Sequence, residues 1–361
     1  MNISKAYAII HYYTLLKPNF RSFCPVLTAI MFIVVIIISL TIAYINGMHD
    51  GGTIVATAIT SRLTTPMKVI VLAGTANFLG AILLGTSVVS TIYEGVVYPA
   101  TILSGPQDKS YMFLLAALLG SAVWNLFTWF VKLPSSASHS LIGAMMGSDI
   151  AYMGLYSVVW PSVYLKVILA MIISPLIGFV FGFIFYKAEM RGLRYGTSKL
   201  DKHVHTLHLL STFFLSLSYG SNDSQKIMGV ILLALTVKEG TEVSLPVWAI
   251  ILSGLVLAIG TISGGYNMIR TVGFDITKIN VKKSFASQFA AFFVTTAANF
   301  TGLPISATQV VTATVAGAGT GESARGVHWP IMSKILISWL VTIPCSLAVG
   351  FVLFQILTWS L

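Results

Sequence analysis

The chain has 361 residues, of which 56% are hydrophobic and only 9% are charged. Soluble domains carry about a quarter of their residues as charged side chains, so this composition excludes a soluble protein and predicts an integral membrane protein. The formal net charge is +10. Most basic residues lie in connecting segments, which favours contact with anionic membrane lipids and argues against binding of nucleic acid.

The N-terminal segment, residues 1–25, carries basic side chains among scattered aromatic ones and predicts a helix at the membrane interface. A loosely attached terminus is the alternative. The apolar run that follows ends in Asn46 and Asp50 and not in a small-residue cleavage site, which indicates a retained helix and not a signal peptide. Cys24 and Cys345 stand alone and predict neither a disulfide framework nor a thiolate metal site.

Apolar stretches long enough to cross a bilayer, about 20 residues each, recur to the C-terminus. They lie near residues 26–45, 67–92, 111–131, 139–157, 163–186, 207–236, 247–264, 285–300, 308–320 and 331–357. Some are short or interrupted, so we predict an all-α membrane protein with about 10–12 transmembrane or re-entrant helices. The polar, basic segment 187–206 predicts a cytoplasmic linker between a first repeat, residues 26–186, and a second, residues 207–361.

Two short motifs occur twice, which is the basis for assigning repeats. An acidic motif spans residues 46–50 (NGMHD) and returns at residues 219–223 (YGSND), 173 positions later. A proline motif spans residues 133–139 (LPSSASH) and returns at residues 303–309 (LPISATQ), 170 positions later. A duplicated membrane protein that interrupts its apolar helices with polar residues twice in each half is typical of a secondary transporter.

Each proline motif opens the next apolar segment. Proline suits the first turn of a helix, and serine or threonine suits its N-cap. The unpaired N–H groups of a helix start attract anions through hydrogen bonding and the helix dipole. Two copies that share a polar cavity predict hydroxyl donors around a tetrahedral oxyanion, and these are Ser135, Ser136, Ser138, Ser306 and Thr308. Ordinary helix capping without a ligand is the alternative.

The acidic motif offers carboxylate and amide oxygens at an expected break between half-helices. Such oxygens are hard ligands suited to sodium, while a carboxylate beside a bound anion can carry a proton instead, so both coupling ions stay open. The alternative to a functional role for Lys226 is a purely structural one, in an ion pair with Asp223. Asp149 has no counterpart, because Gly319 stands at its place in the second half, and we expect it at the membrane interface.

These motifs resemble those of the inorganic phosphate transporter (PiT) family of secondary anion symporters, in its short prokaryotic type. The likeness runs from about residue 26 to the C-terminus. It is carried by NGMHD followed by IVATAITSR, LPSSASHSLIG at 133–143, GSNDSQKIMGVI at 220–231, GGYNMIRTVGFDITKI at 264–279 and GLPISATQVV at 302–311.

The resemblance implies two inverted-topology repeats with broken helices at the centre, a homodimer, and a place in the prokaryotic plasma (inner) membrane. It assigns cation or proton coupling to Asn46, His49, Asp50, Asn222 and Asp223, with a sodium site at Asp50, Asn222 and Asp223. It also implies that phosphate, free or as a metal–phosphate complex, lies among the five hydroxyl residues, with Gln225 nearby and Lys226 neutralising the anion or an aspartate.

Two departures from the family pattern bear on these roles. Gly51-Gly52-Thr53 stand where the family often has alanine and asparagine, so the first cation site lacks an amide ligand. Gln309 replaces a usual histidine, while His139 is kept in the first copy. Because glutamine does not titrate, a proton role shared by paired histidines is weakened, and His139 is equally well a helix-start donor.

The sequence therefore predicts import of inorganic phosphate by symport with sodium or protons, through alternating access. Two aspartates favour phosphate, which keeps a proton and can donate a hydrogen bond, over fully ionised sulfate. A symporter of sulfate or another oxyanion is the alternative, and an anion channel is a weaker one. A hydrolase is not expected from Ser138 and His139, because adjacent residues do not face each other on a helix. The sequence also lacks the zinc-protease, nucleophile-elbow and nucleotide-binding loop motifs. We therefore expect neither an enzyme nor a cofactor.

Overall fold

The computed structural model describes residues 25–62, 64–131, 135–193, 200–264 and 269–359. Within these ranges the regular secondary structure is helical, apart from two isolated β-bridges, and this confirms the all-α prediction. The predicted interfacial segment 1–25 lies outside the described residues except for Pro25.

The first half of the chain supplies helices numbered here in chain order as α1 (Pro25–Thr60), α2 (Pro66–Leu83), α3 (Ser87–Glu94), α4 (Pro99–Ser104), α5 (Gln107–Phe130), α6 (Ala137–Met153) and α7 (Leu169–Leu193). A short helix, Trp160–Ser162, and a π-helical turn, Val163–Ile168, lead into α7.

The second half supplies α8 (Leu200–Glu239), α9 (Val247–Ser263), α10 (Val281–Thr301), α11 (Ala307–Glu322) and α12 (Trp329–Trp359). A π-helical turn, Thr271–Asp275, precedes α10, and a 3₁₀ turn, Ala324–Gly326, precedes α12.

Among the described residues, five helical stretches are long and apolar enough to cross a bilayer by themselves, and they are Val26–Thr60, Pro66–Leu83, Gln107–Phe130, Trp160–Gly192 and Trp329–Trp359. Large apolar side chains such as Ile172, Leu176 and Ile337 are exposed on their surfaces, as expected where lipid is the solvent. Three of the four helices that carry the motifs, α6, α8 and α11, are not among these five and bury their motif residues inside the bundle, while α1 is both an apolar stretch and a motif helix. The total of 10–12 crossings stays a prediction.

The prediction that a helix is interrupted at each acidic motif is wrong. Helix α1 runs through Asn46–Asp50 without interruption, and α8 runs through Tyr219–Asp223. The glycines of the two motifs serve close packing instead. A Cβ at Gly47 would collide with the Leu257 carbonyl of α9, and a Cβ at Gly220 would collide with the backbone of Asn77 in α2.

Helical structure extends into the predicted linker from both sides. Helix α7 continues to Leu193 and α8 begins at Leu200, so only residues 194–199 lie between the two helices. Charged residues such as Lys187, Glu189 and Arg191 have good helix propensity and extend a helix beyond the membrane. The change in composition at residue 187 therefore does not mark the end of the helix, and a cytoplasmic linker between two repeats stays a prediction.

Helices from the two halves pack against each other in equivalent pairs. A Cβ at Gly147 of α6 would collide with the Leu347 carbonyl of α12, and a Cβ at Gly317 of α11 would collide with the Phe179 carbonyl of α7. Gly147 and Gly317 lie 170 positions apart, the spacing of the proline motifs. Positions that are equivalent in sequence thus make equivalent contacts with the other half. This supports two structural repeats, while their inverted orientation stays a prediction.

We expect Gly147→Ala to lower the stability of the folded protein by about 1–3 kcal/mol, because the added methyl group forces α6 away from α12. The measurement is the thermal unfolding midpoint of the purified protein in detergent. Gly192→Ala is the matched control, since a Cβ there meets open space at an exposed position. Equal midpoints for the two variants would contradict the close packing of α6 on α12.

Candidate functional site

The proline motifs form two capped helix starts, as the sequence predicts. Ser136 is the N-cap of α6 and its hydroxyl accepts a hydrogen bond from the His139 N–H at 3.2 Å. Ser306 is the N-cap of α11 and accepts one from the Gln309 N–H at 3.4 Å. Pro304 precedes the cap, so the expected proline in the first helical turn is wrong for this copy. Pro134 lies outside the described residues.

The two helix starts contact each other reciprocally. The Ser138 hydroxyl donates to the Ile305 carbonyl at 3.2 Å, and the Thr308 hydroxyl donates to the Ser135 carbonyl at 3.3 Å. Ser138 is equivalent to Thr308, and Ser135 to Ile305, under the 170-residue spacing. Each of the two bonds therefore turns into the other when the two motifs are exchanged. Such reciprocal contacts are those of a two-fold arrangement. The starts of α6 and α11 therefore meet about a local pseudo-two-fold axis.

The side chains after the caps continue this pairing. The Nε2 atom of Gln309 and the Nδ1 atom of His139, which are equivalent positions, lie 3.4 Å apart. The Ser306 and Thr308 hydroxyls are 2.8 Å apart. All five predicted hydroxyl residues are buried in one region, as the sequence predicts.

Lys226 of α8 connects this hydroxyl cluster to the acidic motif. Its ammonium group lies 2.5 Å from Oδ1 of Asp223 and donates to the Ile305 carbonyl at 2.8 Å and to the Ser138 hydroxyl. Both charged side chains are only 1% exposed. The ion pair that the sequence left as an alternative is therefore present, and it also touches the start of each motif helix.

The acidic motifs of α1 and α8 lie side by side. Nδ1 of His49 is 2.7 Å from Oδ1 of Asp50, and the Tyr219 hydroxyl donates to the Asn46 carbonyl at 3.2 Å. The Asp50 and Asp223 carboxylates are close enough to interact electrostatically.

Asn222 anchors the second motif to α10 and to the approach to α11. Its Nδ2 atom donates to Oδ1 of Asn299 at 2.7 Å and to the Leu303 carbonyl at 3.2 Å. The sequence analysis did not single out Asn299. The signal that could have identified it is the presence of a polar amide within the apolar run 285–300.

Several buried polar atoms in this region have no hydrogen-bond partner among the described residues. They include Asn46 Oδ1, Asp50 Oδ2, Asn222 Oδ1 and Asp223 Oδ2 of the acidic motifs, together with Thr53 Oγ1 and Gln309 Oε1. Buried polar groups are nearly always satisfied, so the oxygens of the acidic motifs that lack a partner are candidates for holding a bound cation. Amide and carboxylate oxygens of this kind suit a hard cation such as sodium. The described residues contain no cluster of three His, Cys, Asp or Glu side chains that would suit a transition metal.

Gln225 does not join the hydroxyl cluster. Its Oε1 atom accepts from the N–H of Val88 at the start of α3 at 2.7 Å, and its Nε2 atom donates to the Ser221 hydroxyl at 2.7 Å. This side chain thus caps α3 and fixes it to α8. The partner in α3 lies far away in sequence, which is why the motif alone did not indicate this role.

The first glycine after Asp50 has a packing reason. A Cβ at Gly51 would meet the side chain of Thr261 in α9 at 2.8 Å, so α9 leaves no space for a larger residue. The glycine at position 51 is therefore a consequence of the close approach of α1 and α9.

Asp149 is buried inside the protein, and its expected depth at the membrane interface stays a prediction. Its side chain is fully buried within α6, and neither carboxylate oxygen has a hydrogen-bond partner among the described residues. Hydropathy placed it near the end of an apolar stretch but could not show which side of the helix faces the protein.

We expect Lys226→Met to destabilise the protein by about 3–5 kcal/mol, because it leaves the buried Asp223 carboxylate without its cation. The double variant with Asp223→Asn should recover most of that loss. Thermal unfolding of both single variants and the double variant gives the coupling energy of the pair. Lys238→Met, which breaks an exposed pair with Glu239, is the control and should cost less than about 1 kcal/mol. A thermal unfolding midpoint for Lys226→Met equal to that of the wild type would contradict the buried ion pair.

Comparison with known proteins places this arrangement among transporters. The sequence profile described as "Phosphate transporter family" matches residues 46–200 and 188–350. A Bacillus subtilis (strain 168) protein described as "Probable low-affinity inorganic phosphate transporter" is 34% identical over 91% of this chain and 97% of its own length. A Rhizobium meliloti (strain 1021) protein with the same description is 30% identical over 86% of this chain and 92% of its own length.

A solved structure described as "The sodium-dependent phosphate transporter" has the same fold. Its TM-score is 0.81 at 22% identity, and the match covers 92% of this chain and the whole of that one. The resemblance drawn from the motifs is confirmed, and the relatives are transporters and not enzymes. The chain is an integral plasma-membrane protein that belongs to the phosphate transporter family.

Proposed function

We propose that this protein imports inorganic phosphate by symport with a cation, through alternating access. The observation that carries the proposal is the pair of reciprocal helix starts beside two buried aspartates, Asp50 and Asp223. The B. subtilis and R. meliloti relatives are described as inorganic phosphate transporters, which supports the same substrate here.

The anion binds, in this proposal, between the starts of α6 and α11. Two helix N-termini direct their dipoles and unpaired N–H groups at the same region. Hydroxyls of Ser135, Ser136, Ser138, Ser306 and Thr308 supply further donors. A nearby carboxylate accepts the proton that phosphate keeps near neutral pH, whereas sulfate has no proton to offer, and this favours phosphate.

The coupling cation binds at the unpartnered oxygens of the acidic motifs. Asp50 and Asp223 provide charge, and Asn46 and Asn222 provide neutral amide oxygens. This donor set supports sodium, and the structural neighbour is described as sodium-dependent. The proton remains the competing coupling ion, with His49 beside Asp50 as a candidate carrier.

Lys226 links the two sites in this scheme. Its ammonium group neutralises Asp223 and at the same time contacts Ser138 and Ile305 at the helix starts. A cation at Asp223 competes with the ammonium group for the carboxylate, which frees Lys226 to neutralise a bound anion. Cation binding therefore raises the affinity for the anion, and by reciprocity the anion raises the affinity for the cation.

The test is uptake of radiolabelled phosphate into proteoliposomes under an imposed sodium gradient or an imposed proton gradient, with excess sulfate as competitor. Accumulation driven by one gradient and resistant to sulfate would support phosphate symport and identify the coupling ion. Equilibration without accumulation would favour a channel. Loss of the signal to sulfate would favour a symporter of a different oxyanion.

We expect Asp223→Asn to abolish gradient-driven accumulation, because it removes the charge that attracts the cation. This variant also leaves the buried Lys226 ammonium group without its carboxylate, so thermal unfolding is used to select a temperature at which the variant is still folded and uptake is compared there. Asp108→Asn, at a partly exposed position in the first turn of α5, is the control and should accumulate phosphate normally. Undiminished accumulation by Asp223→Asn would refute the assignment of this residue to coupling.

We expect Ser136→Ala and Ser306→Ala each to raise the phosphate concentration for half-maximal uptake about tenfold, because a hydrogen bond to a charged ligand contributes about 1.5–3 kcal/mol. Dependence on the cation gradient should persist. Ser346→Ala is the control, since that buried hydroxyl bonds only within α12, to the Thr342 and Ile343 carbonyls. Unchanged affinity in both cap variants would place the anion elsewhere.

A further inference from the structure

A buried carboxylate outside the site described above has no partner. The Asp149 side chain is fully buried, and both of its oxygens lack a hydrogen bond within the part of the chain that the structure describes. The ion pairs found among those residues do not include it. An ionised carboxylate in such a place is far less stable than one in water, so the group must be neutralised while it stays there.

Asp149 lies on the face of α6 that reaches the central site. Ser138, Ile142, Met145 and Asp149 are spaced by four, three and four residues, which places them along one side of a helix. At 1.5 Å per residue, Asp149 lies about 16 Å from Ser138. Ile142 and Met145 between them are fully buried apolar side chains. They separate Asp149 from the hydroxyl cluster in this conformation.

Only a short distance separates Asp149 from the outer surface of the protein. Helix α6 ends at Met153, and Tyr156, in the loop that follows, is 90% exposed. The Ser157 hydroxyl donates to the Gly154 carbonyl at 2.7 Å and approaches the Asp149 carbonyl at 3.4 Å. Both bonds go to backbone carbonyls, so this buried hydroxyl ties the exposed loop to the end of α6 at Asp149.

The surroundings suit a proton better than a metal ion. Ser157 is the polar side chain beside the carboxyl group, and a single hydroxyl does not complete the six or more oxygen ligands of a hard cation. The titratable groups that interact with this region are Tyr152 on the same helix and, through it, Asp108 of α5. Both are neutral or negative, so neither replaces the missing positive charge.

We propose that Asp149 is a proton-exchange site, which holds a proton in this conformation and releases it when α6 moves and water reaches the carboxyl group. The protonated form stabilises the conformation seen here, because only the neutral group tolerates burial. Acidic pH therefore favours this conformation. The second repeat has Gly319 at the equivalent position, so the site exists once per chain. The consequence for uptake rests on the proposed function, whereas proton binding itself does not.

Infrared spectroscopy of the purified protein in phosphate-free lipid tests proton binding without transport. The difference between wild type and Asp149→Asn isolates the C=O band of the Asp149 carboxylic acid. We expect that band at neutral pH and its reversible loss as pH rises. Its absence throughout, or its persistence at every pH at which the protein stays folded, would overturn the proposal.

Uptake into proteoliposomes tests the consequence. At a fixed sodium gradient, we expect the ratio of the Asp149→Asn rate to the wild-type rate to change several-fold with pH, with unchanged phosphate affinity. The ratio removes the titration of phosphate itself, and Glu94→Gln, at an exposed position at the end of α3, should give a constant ratio. A constant ratio for Asp149→Asn as well would overturn the role in transport. Asp149→Ser provides the same comparison if the asparagine variant does not fold. Failure of phosphate uptake by wild type would instead contradict the proposed function and leave the infrared result standing.

Discussion

The meeting of two helix starts at the centre of the molecule is the constraint on which the rest of the structure depends. Ser138 and Thr308 each donate to a carbonyl in the opposite motif, so the starts of α6 and α11 are held together by equivalent bonds. Each of these helices also packs closely against another helix at a glycine. Helix α6 packs on α12 at Gly147, and α11 packs on α7 at Gly317. Because each contact joins one half of the chain to the other, neither half can complete the central region alone.

The features that the sequence could predict are local ones. The caps at Ser136 and Ser306 follow from residue type, since a hydroxyl before a helix satisfies an unpaired N–H wherever the helix lies. The features that it could not predict depend on distant partners. Gln225 bonds to Val88, 137 positions away, and no pattern near Gln225 indicates this. The glycine of the NGMHD motif fits both a break and a close helix contact, and only the position of α9 decides between them.

The repeats share a scaffold but differ in charge, and this difference has chemical consequences. Asp50 has histidine as its partner, whereas Asp223 has the ammonium group of Lys226. At the position equivalent to Lys226, the first repeat has Thr53, which is neutral. The first aspartate is therefore the more available of the two for a cation, while the second must exchange a partner before it can bind one. A duplicated fold with such unequal halves can bind its ions in a fixed order.

The charges at the centre also bear on how many cations accompany each anion. Counted as formal charges, Asp50, Asp223 and Lys226 together leave one excess negative charge in a buried, low-dielectric region. A single sodium ion would neutralise the excess negative charge of the protein and leave the negative charge of a bound phosphate without a counter-charge. Because an uncompensated buried charge costs several kcal/mol, the proposed symport of one phosphate would require more than one cation in the loaded state. This requirement distinguishes a symporter from an anion channel, where a negative centre would only oppose the flow.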